Sequence, residues 1–296
     1  MLENPEFNLA YIITQTIKTL ISNIFSSIDN TLYPILDDLV FIDSDIMNNP
    51  SLINIIGENN SSGLVMVANS LIIGFLIYYS ISYLLSHFTF SQIQRPAQLI
   101  FRLLLCVISV NFSYLLCRQL LFLNSLISLA IRSIGENIFG HEICFFALLS
   151  DLNLIVSFNV AGGALFSLDG IIKAMLSFGI LNLTFSYALR YVMILVLTLI
   201  SPFAFLSLIL PNTSWIFRSW LKIFLSLLFL QILVPFILLI SFLFSSPEPD
   251  MFSKLIYVGS IYALIKANTY LREFMGGLST EVSSGISNIK SIFSGG

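Results

Sequence analysis

An all-α, polytopic integral membrane protein is the fold class this sequence predicts, and three observations carry the prediction. Of 296 residues, 57% are hydrophobic and only 10% are charged, against roughly 45–50% and about 25% in an ordinary globular chain. So few charges cannot cover a water-facing surface of that size. Apolar runs of about 18 residues or more, the length a helix needs to cross a hydrocarbon core, recur along the chain. The charges lie mostly between those runs and change sign from one connection to the next. The composition excludes a soluble enzyme, a disulfide scaffold and a disordered tail, and a net charge of −3 argues against a basic nucleic-acid-binding domain.

Residues 1–63 are expected to lie outside the lipid as an amphipathic helix followed by an acidic loop. Asn4-Pro5-Glu6 reads as a helix start, with Asn as cap, Pro at the first helical position and an acid in the first turn. Leu9, Ile13, Ile17, Leu20, Ile24 and Ile28 then recur at spacings of three and four, away from Gln15, Lys18, Ser22 and Asp29, and Pro34 is expected to end the helix over residues 4–33. Such a helix suits the outer membrane surface or a partner; the other reading of it is a sixth span. The acids that follow, Asp37-Asp38 and Asp43/Asp45, read as a solvated surface.

A first transmembrane hairpin is expected over residues 64–123, with spans at Leu64–Leu85 and at about Leu99–Leu123. Residues 124–170 are too apolar for a free loop. Leu126–Ile138 and Ile143–Phe158 suit two helices of an extracytoplasmic hairpin, re-entrant or lying at the interface, with a bend at Ala161-Gly162-Gly163. The membrane core, residues 171–275, holds three spans. The first runs from Ile171 to about Ile200, where Ser201-Pro202 is expected to interrupt it; the others are Leu221–Phe244, kinked at Pro235, and the weaker Leu255–Leu271. The tail 276–296 repeats an amphipathic pattern at Leu278, Val282, Ile286, Ile289 and Phe293.

Charge placement decides how many spans to count. Residues 1–63 hold eight acids against Lys18, whereas the connection 86–98 has Arg95 and His87 with Arg102 just beyond. Residues 124–170 hold four acids against Arg132; the turn 201–220 has Arg218 with Lys222 following; residues 245–253 have Glu248 and Asp250 and no base. With five spans, basic and acidic connections alternate without exception. The positive-inside rule then places the N-terminus outside and the C-terminus in the cytoplasm. Cutting the long third span at Arg190 would export Arg218 and Lys222.

No constellation for catalysis or metal binding is visible. The two histidines, His87 and His141, fall on opposite sides of the membrane in this topology, and the three cysteines lack ligand spacing. There is no G-x-S-x-G, no H-E-x-x-H and no phosphate loop. Neither an enzyme nor a cofactor is expected. Arg102, Arg118, Lys254 and Lys266 lie near enough to span ends to snorkel. Arg190 lies deeper, and either faces a protein or water-lined interior or reaches the cytoplasmic face. Asn69, Asn111, Asn182 and Gln231 read as interhelical hydrogen-bond glue.

The stretch from Arg190 carries more. An Arg opens a long apolar run, Ser201-Pro202-Phe203 follows, then Pro211-Asn212-Thr213, then Trp220 at the start of the next span. This pattern resembles the core of the TrbL/VirB family, polytopic inner-membrane subunits of type IV secretion and conjugation machines, over about 60 residues. The resemblance implies an N-out, C-in subunit of the bacterial inner membrane. Its partners would be core or stalk components, cytoplasmic ATPases and, transiently, translocated DNA or protein, and it would act without a cofactor of its own. It also makes Arg190, Ser201, Pro202, Pro211, Thr213, Arg218, Trp220 and Lys222 candidate structural or partner-docking residues, on a cytoplasmic elbow anchored at the interface by Trp215 and Trp220. Small residues and mid-span amides suit a homo-oligomer embedded in membrane lipids. A small-solute or lipid-linked permease is the rival, and would want paired ionisable groups at the midplane.

Overall fold

In the computed structural model the described residues are 9–57, 63–89, 96–155, 168–209, 213–244 and 251–274. They are all-α: α1 Leu9–Val40, a 3-10 turn Ser44–Asn48, α2 Pro50–Ile56, α3 Leu64–Thr89, α4 Pro96–Asn111, α5 Ser113–Phe139, α6 Phe145–Ile155, α7 Leu168–Leu206, α8 Ser214–Leu243 and α9 Met251–Phe274. The Asn4-Pro5 helix start, the Ala161-Gly162-Gly163 bend, Pro211 and the tail 276–296 lie outside the described residues.

Four helices are long and apolar enough to cross a membrane: Leu64–Leu85, Ser113–Phe139, Gly170–Leu206 and Ser214–Leu243. The chain is accordingly a multi-pass membrane protein by the length and composition of its helices. The segment expected as a fifth span forms α9, but it is not among those four; its 24 residues include Lys254, Lys266, Arg272 and Glu273. The second expected span is divided differently. Its apolar run breaks near Phe112 into α4 and α5, and Leu126–Ile138 continues α5 instead of forming a separate helix. At the junction the Asn111 Nδ2 donates to the Val107 carbonyl (2.8 Å) and the Ser113 hydroxyl to that of Val110 (2.7 Å). Side chains that bond their own backbone loosen the ladder there without ending it.

Two prolines expected to end helices sit inside them. Pro34 is within α1 and Pro202 within α7. A proline in a helix removes one bond to the residue four back, a loss that packing can offset. Beyond Pro34, Leu36 and Val40 are fully buried, and Asp37 is bound instead of solvated. Its two carboxylate oxygens accept the N–H groups of Phe145 (2.7 Å) and Phe146 (2.9 Å), capping the start of α6 from 108 residues away. Burial pushes the Asp37 carboxyl above its ordinary value, and these N–H groups with the Arg132 charge pull back only part of that.

The chain folds into two compact units. The first comprises residues up to Phe41, Ser128–Leu189 and Gln231–Ala267; the second comprises Ile42–Ile127, Arg190–Leu230 and the residues from Asn268. In the first unit Arg132 ties the end of α5 to its surroundings. Its Nε donates to the Ile143 carbonyl (2.9 Å), its Nη2 pairs with Glu142 (2.7 Å), and its guanidinium lies 4.4 Å above the Phe41 ring. In the second, one apolar core gathers Met47, Ile56, Ala68, Cys106, Val110, Leu121, Phe205, Trp220 and Phe224, and the Tyr114 hydroxyl donates to the Met47 carbonyl. The Asn69 and Asn111 amides bond each other reciprocally, at 3.1 and 3.3 Å, joining α3 to α4.

Candidate functional site

Every described residue of the Arg190–Lys222 pattern belongs to the second unit, on the last part of α7 and the first part of α8. The two helices are fastened as an antiparallel hairpin with a definite register. Arg190 Nε donates to the Leu227 carbonyl (2.8 Å), and Trp220 Nε1 donates to the Leu197 carbonyl (3.0 Å). Between these bonds each helix advances seven residues, about 10 Å along the axis at 1.5 Å per residue. The two bonds therefore repeat one alignment two turns apart.

Ser201-Pro202 does not interrupt α7, and the hydrogen bonds explain why. Pro202 has no N–H to give to the Thr198 carbonyl, four residues back. The Ser201 hydroxyl donates to that same carbonyl at 2.7 Å. The serine thus replaces the bond its neighbour cannot make, and α7 continues to Leu206. Two falsifiable numbers follow. Ser201→Ala should cost about 1–2 kcal/mol of unfolding free energy in detergent, the usual cost of an orphaned buried acceptor. The same substitution in a Pro202→Ala background, where an N–H returns, should cost less than half as much. Equal costs in a double-mutant cycle would defeat this account.

The helix then closes in tighter turns. Ser207 N–H reaches both the Phe203 and Ala204 carbonyls (3.2 Å each), and Leu208 and Ile209 bond three residues back. The Cys106 thiol, from α4, lies 3.6 Å from the Phe205 carbonyl, and Thr213 Oγ1 donates to the Ser207 carbonyl at 2.8 Å. Carbonyls at a helix end need such partners. Thr213 therefore ties the entry of α8 back to the exit of α7.

Burial sorts the pattern into two groups. Arg190 is fully buried, the largest side chain in that state, and Ser201, Pro202 and Trp220 are buried too. Of the two placements the sequence left open for Arg190, the interior one is found. Trp220 is not an interfacial anchor. It stacks on Phe224 (5.3 Å between centroids, 8° between planes) and lies against Phe205 and Phe217. Trp215, Arg218 and Lys222 are exposed. The residues that fasten the hairpin and those exposed on its surface are thus different subsets of one motif. Sequence reading missed Cys106 and the ring partners Phe205, Phe217 and Phe224; 27 phenylalanines in one chain offer no local signal for which will cluster.

Residues 190–230 contain no Asp, Glu or His, and among the described residues no three His, Cys, Asp or Glu come together as metal ligands. The hairpin offers rigidity and a basic face in place of reactive groups. No family model, no curated protein and no solved structure matches this chain.

Proposed function

We propose that this chain is a channel or scaffold subunit of a type IV secretion or conjugation apparatus, one that helps move DNA or protein across the bacterial inner membrane and performs no chemistry itself. The observation that carries the reading is the Arg190–Trp220 hairpin. Arg190, Thr213 and Trp220, which carry the resemblance to the TrbL/VirB family, are also residues whose bonds hold α7 to α8, and Ser201 of the same pattern bonds within α7 beside Pro202. A motif that builds a stiff hairpin suits a subunit whose work is to hold a path open between partners. The alternation of charge supports five spans with the N-terminus outside and the C-terminus in the cytoplasm, α9 serving as the fifth. Partners in this reading are the core or stalk components and the cytoplasmic ATPases, and several copies assemble per complex as a homo-oligomer.

Deleting the gene should abolish conjugative transfer or effector export, and a plasmid copy should restore it. Transfer at wild-type frequency in the deletion strain overturns the proposal. Cross-linking in intact cells should capture contacts between copies.

A further inference from the structure

Trp215, Arg218 and Lys222 stand three and four residues apart, which puts them on one face of α8 within its first three turns. All three are exposed, Trp215 at 56%. The opposite face carries the buried Trp220, Phe224 and Leu227. Seven residues beyond Lys222, two helical turns along the exposed face, stands Phe229, 46% exposed. That face therefore changes abruptly, from an indole and two bases to hydrocarbon. In the sequence, no Asp or Glu occurs from residue 170 to residue 247.

A ligand that matches both halves has a phosphate at one end and acyl chains at the other. An acidic protein surface would complement the bases but not the apolar continuation, which belongs to a helix long and apolar enough to cross a membrane. An indole at the boundary suits the glycerol level of a bilayer, where its ring is apolar and its N–H is wet. A guanidinium takes a phosphate by two parallel bonds, and an ammonium one turn on adds a second charge. We propose that the first three turns of α8 bind the phosphate head group of an anionic phospholipid, through Arg218 and Lys222, with Trp215 beside the glycerol and Phe229 along the acyl chains.

The chain's tryptophan content makes this directly measurable. Only two tryptophans exist, and Trp220 is shut inside a ring cluster, so lipid-borne quenchers report on Trp215. The full chain is reconstituted in phosphatidylcholine vesicles containing either brominated phosphatidylglycerol or brominated phosphatidylcholine. The anionic lipid should quench at a roughly 25-fold lower mole fraction, a factor of roughly five for each of the two bases near a charged surface. Trp215→Phe should remove the quenchable emission. The double variant Arg218→Gln/Lys222→Gln should bring the two lipids within about twofold, with helical content unchanged.

Equal quenching by both lipids in the wild-type chain overturns the proposal, and so does a preference that survives in the double glutamine variant. Millimolar inorganic phosphate that erases the preference assigns the bases to a soluble phosphate instead. Emission that neither lipid quenches, but that a purified secretion ATPase shields, assigns the face to a protein and also overturns it. The measurement uses the purified chain in vesicles. A failed transfer assay therefore leaves it standing, and its own failure leaves the secretion reading standing.

Discussion

Arg190→Ala should lower the unfolding free energy in detergent by about 3 kcal/mol or more, while Arg190→Met should cost less than about 1 kcal/mol. The difference follows from what the arginine does where it sits. Its side chain is fully buried, so truncation to the β-carbon leaves a large cavity whose walls relax only in part. Methionine refills most of the stem. Losing the Nε bond to the Leu227 carbonyl costs about 1.5–3 kcal/mol on its own, but losing the charge returns the desolvation penalty of a buried cation, which is of similar or larger size. These two terms oppose each other, and for methionine they nearly cancel. Arg190→Lys keeps the charge, cannot place a donor where Nε lies, and should fall between the two. Thermal or urea unfolding of the three variants tests this ordering. A methionine variant as unstable as the alanine one would show that the hydrogen bond outweighs the desolvation cost. Transfer assays then separate structure from function. A methionine variant that folds but does not support transfer would assign Arg190 a role in the transport path beyond packing.

The second large effect is expected at Trp220. Trp220→Ala should destabilise by about 3–5 kcal/mol, the range for removing a buried indole. Trp220→Phe keeps one ring on Phe224 but loses the rest of the indole and the N–H bond to Leu197, so it should cost about 1–3 kcal/mol, less than the alanine. The pair fixes the hairpin's register, so the alanine variant should also change the pattern of cysteine cross-links between α7 and α8. Cysteines placed to match the Arg190–Leu227 alignment should cross-link efficiently in the wild-type background and poorly with Trp220→Ala. Unchanged cross-linking would mean that the loop and Arg190 hold the register without the indole.

How far the sequence could be read depended on the range of the interaction involved. The helix over Leu64–Leu85 was legible, because twenty-two residues without a charge are long enough to cross a hydrocarbon core; in the structure it begins at Leu64 and continues to Thr89. The apolar bodies of α7 and α8 were legible as well, but α8 begins at Ser214, seven residues before the expected Leu221, and α7 runs past the expected Ile200 to Leu206. The capping role of Asp37 was not legible. A carboxylate in a turn-rich acidic stretch looks solvated until a helix start 108 residues away is brought to it. The burial of Trp220 was equally hidden. Tryptophan at a span boundary has two homes, the interface and a ring cluster, and only the packing of Phe205, Phe217 and Phe224 decides between them.

By itself, the sequence determined that the protein is helical and made for a membrane, and where the apolar bodies of its long helices fall; the connection of α7 to α8, expected over residues 201–220, is confined to the residues between Leu206 and Ser214. Those properties rest on composition and on periodicities a few residues long. Tertiary structure alone decided that Pro34 and Pro202 are carried inside helices, that Arg190 is enclosed, and that Trp215, Arg218 and Lys222 remain outside when Trp220 does not. A proline or a charge is tolerated in a helix only if something nearby replaces the missing bond or satisfies the charge. In this chain the replacement for Pro202 comes from the adjacent Ser201 hydroxyl, and partners for Trp220 and Arg190 come from 23 and 37 residues away, distances over which no local pattern carries information.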